Sequence, residues 1–428
     1  MPGRVDGSCR SRREVPEFRA AERAGYTHGR MKFARRPAPI LATLATVVAL
    51  ASSSPSSAQQ PFAVWGARQV ALGGASVALG DDPSAFLNNP ALTDPVISTY
   101  AAGYGMVASS AGDFIPLLKG VSGNDPAELA SPTSPNAAGV RANLFALVAP
   151  GAGALGDRQM GIATTLNGWG VAISYSGLSA SFTRADLVHV QSGSDPATSF
   201  LYNDSVVAFR ALSFTDYSLS RSVSLLGGAL SLGVAGHYIR GTTGIKEESA
   251  FTTDVGRLDS FVRRGSDGGI DRTRSRFSWD AGALVTIGVV RIGAVLRAIN
   301  RPQFPFDDQS APAADRGQTA IYGQQSRVGA SVKIPGTGLT IAADYDLSKN
   351  GTLIDTLDSR TVGGGVEWLF GAFGLRGGLS TNLEAPDKPK VLSSGLVWAT
   401  GTLRVDLAAT YRSNDGAIGG VATARIGL

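Results

Sequence analysis

The chain has 428 residues and a formal net charge of +5, and this positive excess lies at the amino end. Residues 1–36 carry ten Lys or Arg against four acidic side chains, residues 37–58 carry no charge, and residues 59–428 therefore sum to about −1. The main part of the chain thus offers no basic surplus, which excludes nucleic-acid binding as an expected role. The single cysteine is Cys9, and 54 glycines with only 17% charged residues favour many short strands and turns over a helical core.

The first 58 residues are interpreted as segments outside the folded part. Residues 1–30 are polar and without pattern, and we interpret them as an upstream extension. Residues 31–58 combine a basic start at Met31-Lys32, an apolar run of about 15 residues and small residues before Gln59, which is the pattern of a signal peptide. A membrane anchor is the alternative, but a spanning helix needs about 20 apolar residues. The sequence therefore predicts export and a mature chain that begins near Gln59.

Residues 59–97 are predicted to form a compact plug rather than a strand or a long helix. The stretch contains the glycine pair Gly73-Gly74, the corner Asp81-Asp82-Pro83 and the turn Asn89-Pro90. Glycine lets two backbones approach closely, and Asn-Pro favours the start of a turn. We expect the remaining chain to be built around this plug.

Residues 98–428 show repeated alternation of apolar and polar side chains. Leu403 to Arg412 is the clearest case, and Leu339 to Leu347 repeats it. Alternation at this period gives a strand with one apolar and one polar face. Two architectures fit the pattern: a soluble sandwich or barrel with its apolar faces inward, and a membrane barrel with its apolar faces outward.

Four features favour the membrane barrel. Charged residues on the polar faces, such as Arg291 and Arg404, suit a wet lumen, and aromatic residues near strand ends, such as Trp398, suit an interfacial girdle. No apolar run beyond the leader is long enough for a spanning helix. Tight links such as Asn167-Gly168, a type I′ hairpin signature, alternate with long links such as 178–205 and 241–273. The expected fold is an all-β transmembrane antiparallel barrel of about 14 strands with a small amino-terminal plug in its lumen.

The plug resembles that of the FadL family of outer-membrane transporters and of the related PorV/PorQ-type barrels. Both carry a glycine-rich lead-in to an Asn-Pro-Ala motif. It reads here as Gly66-Ala67-Arg68, Gly73-Gly74-Ala75, Asp81-Asp82-Pro83-Ser84-Ala85 and Asn89-Pro90-Ala91-Leu92. Leu92 stands where the family pattern usually has Gly. The resemblance implies a fourteen-stranded barrel closed by an amino-terminal hatch, through which fatty-acid-like, alkane or aromatic compounds pass.

The candidate hatch residues come from this stretch of the plug: Gly73, Gly74, Asp81, Asp82, Asn88, Asn89, Pro90 and Ala91. Asn88 to Pro90 forms either a hinge that moves when a ligand arrives or a plain turn that anchors the plug. Asp81 and Asp82 either respond to an arginine of the lumen wall or complete a turn or helix cap.

The candidate ligand-binding residues are apolar. Phe114, Ile115, Leu117 and Leu118 belong to the first long loop, and Phe304 and Phe306 belong to a later one. If exposed, they would form a groove for a hydrophobic ligand, whereas if packed down they would form the core of their own loop. Arginines on the polar faces could hold a ligand carboxylate or belong to a lumenal charge network. The arginines are Arg291, Arg297, Arg376, Arg404 and Arg425, and the acidic residues are Asp280, Asp344, Asp346, Glu367 and Asp406.

No catalytic site, metal site or cofactor is expected. Beyond the leader the chain has only two histidines, His189 and His237, and it lacks a Gly-x-Ser-x-Gly run and metal-ligand spacing. The expected partners are outer-membrane lipid, a hydrophobic small-molecule ligand and the outer-membrane assembly machinery. The first hypothesis is passive outer-membrane transport of hydrophobic small molecules. The alternative is a PorV-like barrel that serves as a scaffold or carrier for secreted proteins, or a structural outer-membrane protein.

Overall fold

The computed structural model describes residues 61–93, 99–111, 114–255, 270–306, 318–414 and 416–427. All of these residues belong to the unit Ile40–Leu428. The predicted extension at 1–30 and the predicted signal peptide at 31–58 lie outside the described residues.

Within the described residues, fourteen strands form one closed antiparallel barrel. Closure follows from the first strand, β1, in which Thr99 lies opposite Thr165 on one side and opposite Gly427 on the other. The barrel strands are β1 Thr99–Ala111, β2 Gly153–Leu166, β3 Trp169–Arg184, β4 Val206–Leu225, β5 Leu230–Ser249, β6 Ile270–Ile287, β7 Val290–Arg297, β10 Gln325–Ile334, β11 Leu339–Asp346, β14 Thr361–Phe370, β15 Phe373–Asn382, β16 Lys390–Ala399, β17 Leu403–Arg412 and β18 Ile418–Gly427. The predicted fold class and strand number are therefore confirmed.

Short elements lie in the hatch and in the links. Two small hairpins, β8 with β9 and β12 with β13, stand apart from the barrel sheet. Their bounds are β8 Gln303–Pro305, β9 Thr319–Ile321, β12 Asn350–Gly351 and β13 Asp358–Ser359, and the helices are α1 Ala67–Ala71, α2 Phe114–Val121, α3 Pro126–Leu129 and α4 Ala137–Leu147. None of the helices in these stretches has both the length and the apolar character that a membrane crossing requires.

The links divide the barrel into two ends, which we call the turn end and the loop end. At the turn end, six links of two to four residues join the strands, and all longer links lie at the loop end. Asn167 and Gly168 have φ values of 50° and 76°, as the predicted type I′ turn requires. Bacterial barrels place short turns in the periplasm and long loops outside. The two ends of this barrel differ in the same way.

The barrel wall is apolar on its outer face. Along β17, Leu407, Ala409 and Tyr411 are exposed while Asp406 and Ala408 are buried. Exposed aromatic residues cluster near the turn end and again farther along the strands: Trp169, Trp368, Phe370, Phe373 and Trp398, then Tyr217, Tyr238, Phe277 and Tyr411. An apolar band between aromatic girdles is the surface that a wall facing lipid requires. The predicted outward orientation is confirmed.

Strands β3, β4 and β5 extend 16 to 20 residues, beyond the lipid-facing band. The prediction of long loops over 178–205 and 241–273 was therefore wrong at their starts, because β3 continues to Arg184 and β5 to Ser249. Sequence alternation weakens there because the upper part of β3 is buried on both faces. A strand covered on both sides loses the period-2 signal.

Helices α2 to α4 cover the outer face of this extension. Val207, Phe209 and Ala211 lie on the same side of β4 as the exposed Tyr217 and Leu219, so they face outward. They form one buried cluster with the apolar faces of α2 and α4, which include Phe114, Leu118, Leu144 and Leu147. We call this assembly the outer cap. Burial of apolar side chains stabilises the outer cap, and each large side chain contributes about 1.5–3 kcal/mol.

Candidate functional site in the barrel lumen

The hatch, residues 61–93, meets the barrel wall through close backbone contacts at its glycine pair. Gly73 and Gly74 have φ values of 68° and 85°, which favour glycine. A Cβ on Gly73 would lie 2.5 Å from Leu379 O and 2.6 Å from Gly364 O. Any side chain here would push the hatch away from β14 and β15. This close approach explains why the motif has glycine at position 73.

The Asn-Pro-Ala motif anchors the hatch on a different part of the wall. The Asn89 side chain accepts a hydrogen bond from Ala91 N at 3.0 Å and donates to Val77 O at 2.9 Å and to Ala283 O at 3.3 Å. Pro90 lies against Gly233 of β5, where a Cβ would come within 2.2 Å of the Pro90 carbonyl carbon. The motif therefore joins a turn inside the hatch to β5 and β6.

Asn88 closes a second loop within the hatch. Its Oδ1 accepts from Trp65 N at 2.9 Å, and its Nδ2 donates to Trp65 O at 2.9 Å. Asn88 and Asn89 are both fully buried. The geometry is that of an anchoring turn, and a hinge function for these residues stays a prediction.

The two aspartates of the hatch differ in their roles. Asp82 Oδ1 accepts from Ser84 N at 2.8 Å and from Ser84 Oγ at 2.6 Å, which completes a turn. Asp81 adopts a φ of 68°, its backbone carbonyl accepts a hydrogen bond from Arg425, and its carboxylate lies 3.8 Å from Lys333 Nζ. Asp82 therefore completes a turn, whereas the carboxylate of Asp81 contacts a lysine and not an arginine. A response of either carboxylate to an arginine of the wall stays a prediction.

Buried ion pairs connect the hatch helix α1 to the wall. Arg68 binds Glu367 of β14 through two contacts, Nη2 to Oε1 at 2.6 Å and Nε to Oε2 at 3.0 Å. Glu367 also accepts from Arg376 Nε at 2.7 Å, and Arg376 Nη2 lies 2.6 Å from Asp406. Burial by itself lowers the pKa of Arg68, but the Glu367 carboxylate raises it above the ordinary value, so Arg68 stays charged. We call Arg68, Glu367, Arg376 and Asp406 the hatch latch.

A second set of wall residues holds the start of the hatch. Arg297 of β7 donates to Ala63 O at 2.7 Å and also to Leu87 O. Arg327 of β10 binds Asp346 at 2.5 Å. The guanidinium carbons of both arginines lie 3.9 Å from the centre of the Phe62 ring. Phe62 is thus fixed by cation–π contacts, and most of the predicted lumenal arginines serve structural ion pairs or backbone contacts.

A cavity of about 370 Å³ lies between the hatch and the wall. The hatch contributes apolar side chains to it, including Phe62, Val64, Trp65, Val70 and Leu87. Strand β2 contributes alternate residues of its inner face, Leu155, Asp157, Gln159, Gly161 and Ala163. Pockets of this size and composition suit a small hydrophobic ligand.

An apolar cluster occupies the lumen around this cavity on the loop-end side. The β8–β9 hairpin folds inward so that Phe304 packs on the inner face of β5 at Gly241 and lies 5.0 Å, ring centre to ring centre, from Phe214. Phe304 and Phe306 are buried together with Leu178 and Leu353, which also line the cavity. We call this cluster the lumenal roof.

The predicted ligand residues thus fall into two separate places. Phe114 and Leu118 are buried in the outer cap, with Ile115 and Leu117 partly buried against it. This is the outer face of the wall, and none of the four lines the cavity. Phe304 and Phe306 belong to the lumenal roof and adjoin the cavity. Ligand binding by either group stays a prediction.

Residues that contact the cavity were missed by reasoning from the sequence. Leu155, Asp157, Gln159 and Gly161 alternate along the sequence and therefore share one face of a strand. The local sequence does not indicate which part of the protein that face contacts. A separate group lies on the inner wall of β4 to β6, where His237 contacts Asp216 at 2.8 Å and Asp280 at 3.2 Å. Sequence reasoning named His237 and Asp280 but not Asp216. The described residues contain no cluster of three His, Cys, Asp or Glu side chains placed to hold a metal ion.

Residues 108–346 match the family described as "F plasmid transfer operon, TraF, protein", which covers more than half of the sequence. The chain belongs to this family. No curated protein matches this TraF-family chain.

Solved structures similar to the TraF-family chain include transporters and channels of the FadL family. The toluene transporter TbuX of Ralstonia pickettii is 14% identical with a TM-score of 0.47, covering 86% of this chain and 99% of TbuX. The P. putida toluene transporter TodX is 12% identical with a TM-score of 0.46, again over 86% and 99%. The monoaromatic hydrocarbon channel CymD is 11% identical with a TM-score of 0.48, over 86% and 98%. These likenesses are distant.

Proposed function

We propose that this protein is a passive transporter of hydrophobic small molecules in the bacterial outer membrane. The observation that carries the proposal is the largely apolar cavity between the hatch and the lumenal roof. A water-filled pore gives an apolar solute no favourable surface, so its path must offer apolar contacts along the way. The outward apolar wall, with its aromatic girdles, supports insertion in a membrane.

The proposed path runs from the loop end through the lumenal roof into the cavity. Phe304 and Phe306 offer an apolar entry, and the hatch residues Phe62, Trp65 and Leu87 form the cavity floor. Release then requires the hatch to move or the wall to open at the side. The hatch is fastened by a few specific contacts, the hatch latch and the Asn89 anchor, which supports a hatch that moves as a unit.

Outer-membrane localisation, export by the segment 31–58, and contact with outer-membrane lipid and the assembly machinery belong to the same proposal. The alternative, a scaffold or carrier for secreted proteins, needs no lumenal cavity. It predicts a protein partner that co-purifies with the barrel and a lumen that passes no solute. The cavity therefore favours transport over the alternative.

The test is uptake of a hydrophobic solute by liposomes that contain the purified full-length protein. We expect saturable entry of toluene or octane above that of protein-free liposomes. The matched control is a pair of cysteines that cross-link the hatch to the wall at Thr93 and Ser220, whose hydroxyl oxygens lie 3.1 Å apart. Locking the hatch should abolish entry, and reduction of the disulfide should restore it. Entry equal to that of protein-free liposomes, together with a co-purifying protein, would favour the scaffold.

A further inference from the structure

We infer that the cavity accepts uncharged hydrophobic molecules and excludes carboxylates of the same carbon skeleton, with Asp157 as the residue that sets this selection. This inference rests on the proposed transport function and names its substrate class. The selection separates neutral alkyl or aromatic compounds from ionised fatty acids. An apolar lumen without Asp157 would bind both classes.

The charge of the cavity lining carries the inference. Among the described residues that line the cavity, Asp157 is the one with an ionisable side chain, and the other lining residues are apolar, small or hydroxyl-bearing, with one amide. The inner face of β2 presents Asp157 between Leu155 and Gln159, and Gln159 Nε2 donates to Asp157 Oδ2 at 3.3 Å. A carboxylate that enters would lose its hydration and meet another carboxylate.

The two arginines that contact the cavity residue Phe62 form their hydrogen bonds with partners other than Asp157. Arg297 and Arg327 lie against the ring of Phe62, where they bind two backbone carbonyls and Asp346. Arg158 neighbours Asp157 in the chain but lies on the opposite face of β2, since side chains alternate along a strand. The neighbouring β1, whose Val107 lies opposite Asp157, contains neither Lys nor Arg in its sequence.

The chemistry at Asp157 also indicates what the cavity favours. A carboxylate and an amide side by side can accept a hydrogen bond from a hydroxyl group and can orient it, while the apolar surfaces of Trp65 and Leu178 hold the hydrocarbon part. A neutral alcohol therefore fits the cavity, whereas the acid of equal chain length presents a repulsive group at the same place. Selection by a built-in repulsive contact is a general route to specificity.

The experiment measures binding of 1-octanol and of octanoate to the purified full-length barrel in detergent at pH 8, by calorimetric titration. Partition of each probe into detergent is the same for every variant, so the ratio of the two dissociation constants is compared between variants. We expect the wild-type protein to prefer octanol by at least about tenfold, and Asp157→Asn to reduce that ratio by about tenfold. Asp204→Asn removes the same charge at an exposed loop position and should leave the ratio unchanged.

A second variant keeps the test informative if Asp157→Asn does not fold. Gln159→Lys introduces a cation on the same strand face and should raise octanoate binding with Asp157 still present. Equal binding of both probes by the wild-type protein, or a ratio that neither variant changes, would overturn the selection and leave transport standing. Failure of the folded wild-type protein to bind either probe would refute the proposed transport function and, with it, this selection.

Discussion

Removal of the Arg68 side-chain charge should release the hatch without unfolding the barrel. In the hatch latch, Arg68 makes two contacts with Glu367, at 2.6 and 3.0 Å, and donates from Nη1 to Gly80 O at 2.7 Å. Arg68→Met keeps most of the side-chain volume but removes all three hydrogen bonds. The barrel strands keep their own pairing, because the latch joins the hatch to the wall and is not part of the barrel sheet.

The magnitude follows from the burial of the pair. Removing one partner of a buried ion pair costs roughly 3–5 kcal/mol, because the remaining charge stays without compensation. Glu367 retains Arg376 at 2.7 Å, so the lower end of this range, about 3 kcal/mol, applies. A change of this size raises the population of the detached hatch by roughly 100-fold.

Hydrogen exchange measured by mass spectrometry distinguishes the hatch from the barrel. We expect amides of residues 61–93 to exchange roughly 100-fold faster in Arg68→Met than in the wild-type protein, while peptides from β14 to β17 are unchanged. The control is Arg240→Met, which removes an exposed arginine from the outer wall. If hatch exchange in Arg68→Met equals that of the control, the hatch is not held by this ion pair and the reasoning is refuted.

Three other predictions test separate features. Gly73→Ala should detach the hatch, because the added Cβ clashes with Leu379 O and Gly364 O. The control is Gly123→Ala: Gly123 has a φ of 82° and no atom within 4 Å of an added Cβ, so this substitution should cost only the backbone strain of about 1 kcal/mol. The difference in melting temperature between the two variants measures the clash. Burial by itself raises the pKa of Asp186, but hydrogen bonds from His189 and neighbouring backbone amides lower it below the ordinary value of 3.8. The ionised carboxylate therefore orders the link between β3 and β4 above about pH 4, and this order is lost as the pH falls below that value. In Asp186→Asn, amides of the link should exchange equally fast at pH 3 and pH 6 after correction for intrinsic rates. A wild-type link that is equally protected at both pH values would contradict this prediction. Phe114→Ala should destabilise the outer cap by about 3–5 kcal/mol and leave toluene uptake unchanged, whereas loss of uptake with a stable cap would revive the ligand interpretation of this residue.

The sequence determined the barrel because its information is local and repeated. Alternation along segments such as Leu403 to Arg412 fixes two faces for each strand, and the absence of charge on one face requires lipid or a core on that side. Turn residues such as Asn167 and Gly168 act through their own φ values and therefore need no partner. The plug motif could be located for the same reason, since Gly73 and Asn89-Pro90 are local signals for close approach and turning.

Only the tertiary structure decided what each face contacts. Phe114 and Asp157 are the clearest examples: the apolar run around Phe114 packs outside the wall in the outer cap, while a single acid on β2 becomes the charge of the cavity. Arg68 was part of the recognised motif, yet its partner Glu367 is 299 positions away in the chain. A sequence pattern specifies the orientation of a side chain relative to its own strand, but the closure of the barrel brings distant residues together, and those contacts determine cavity, latch and ligand chemistry.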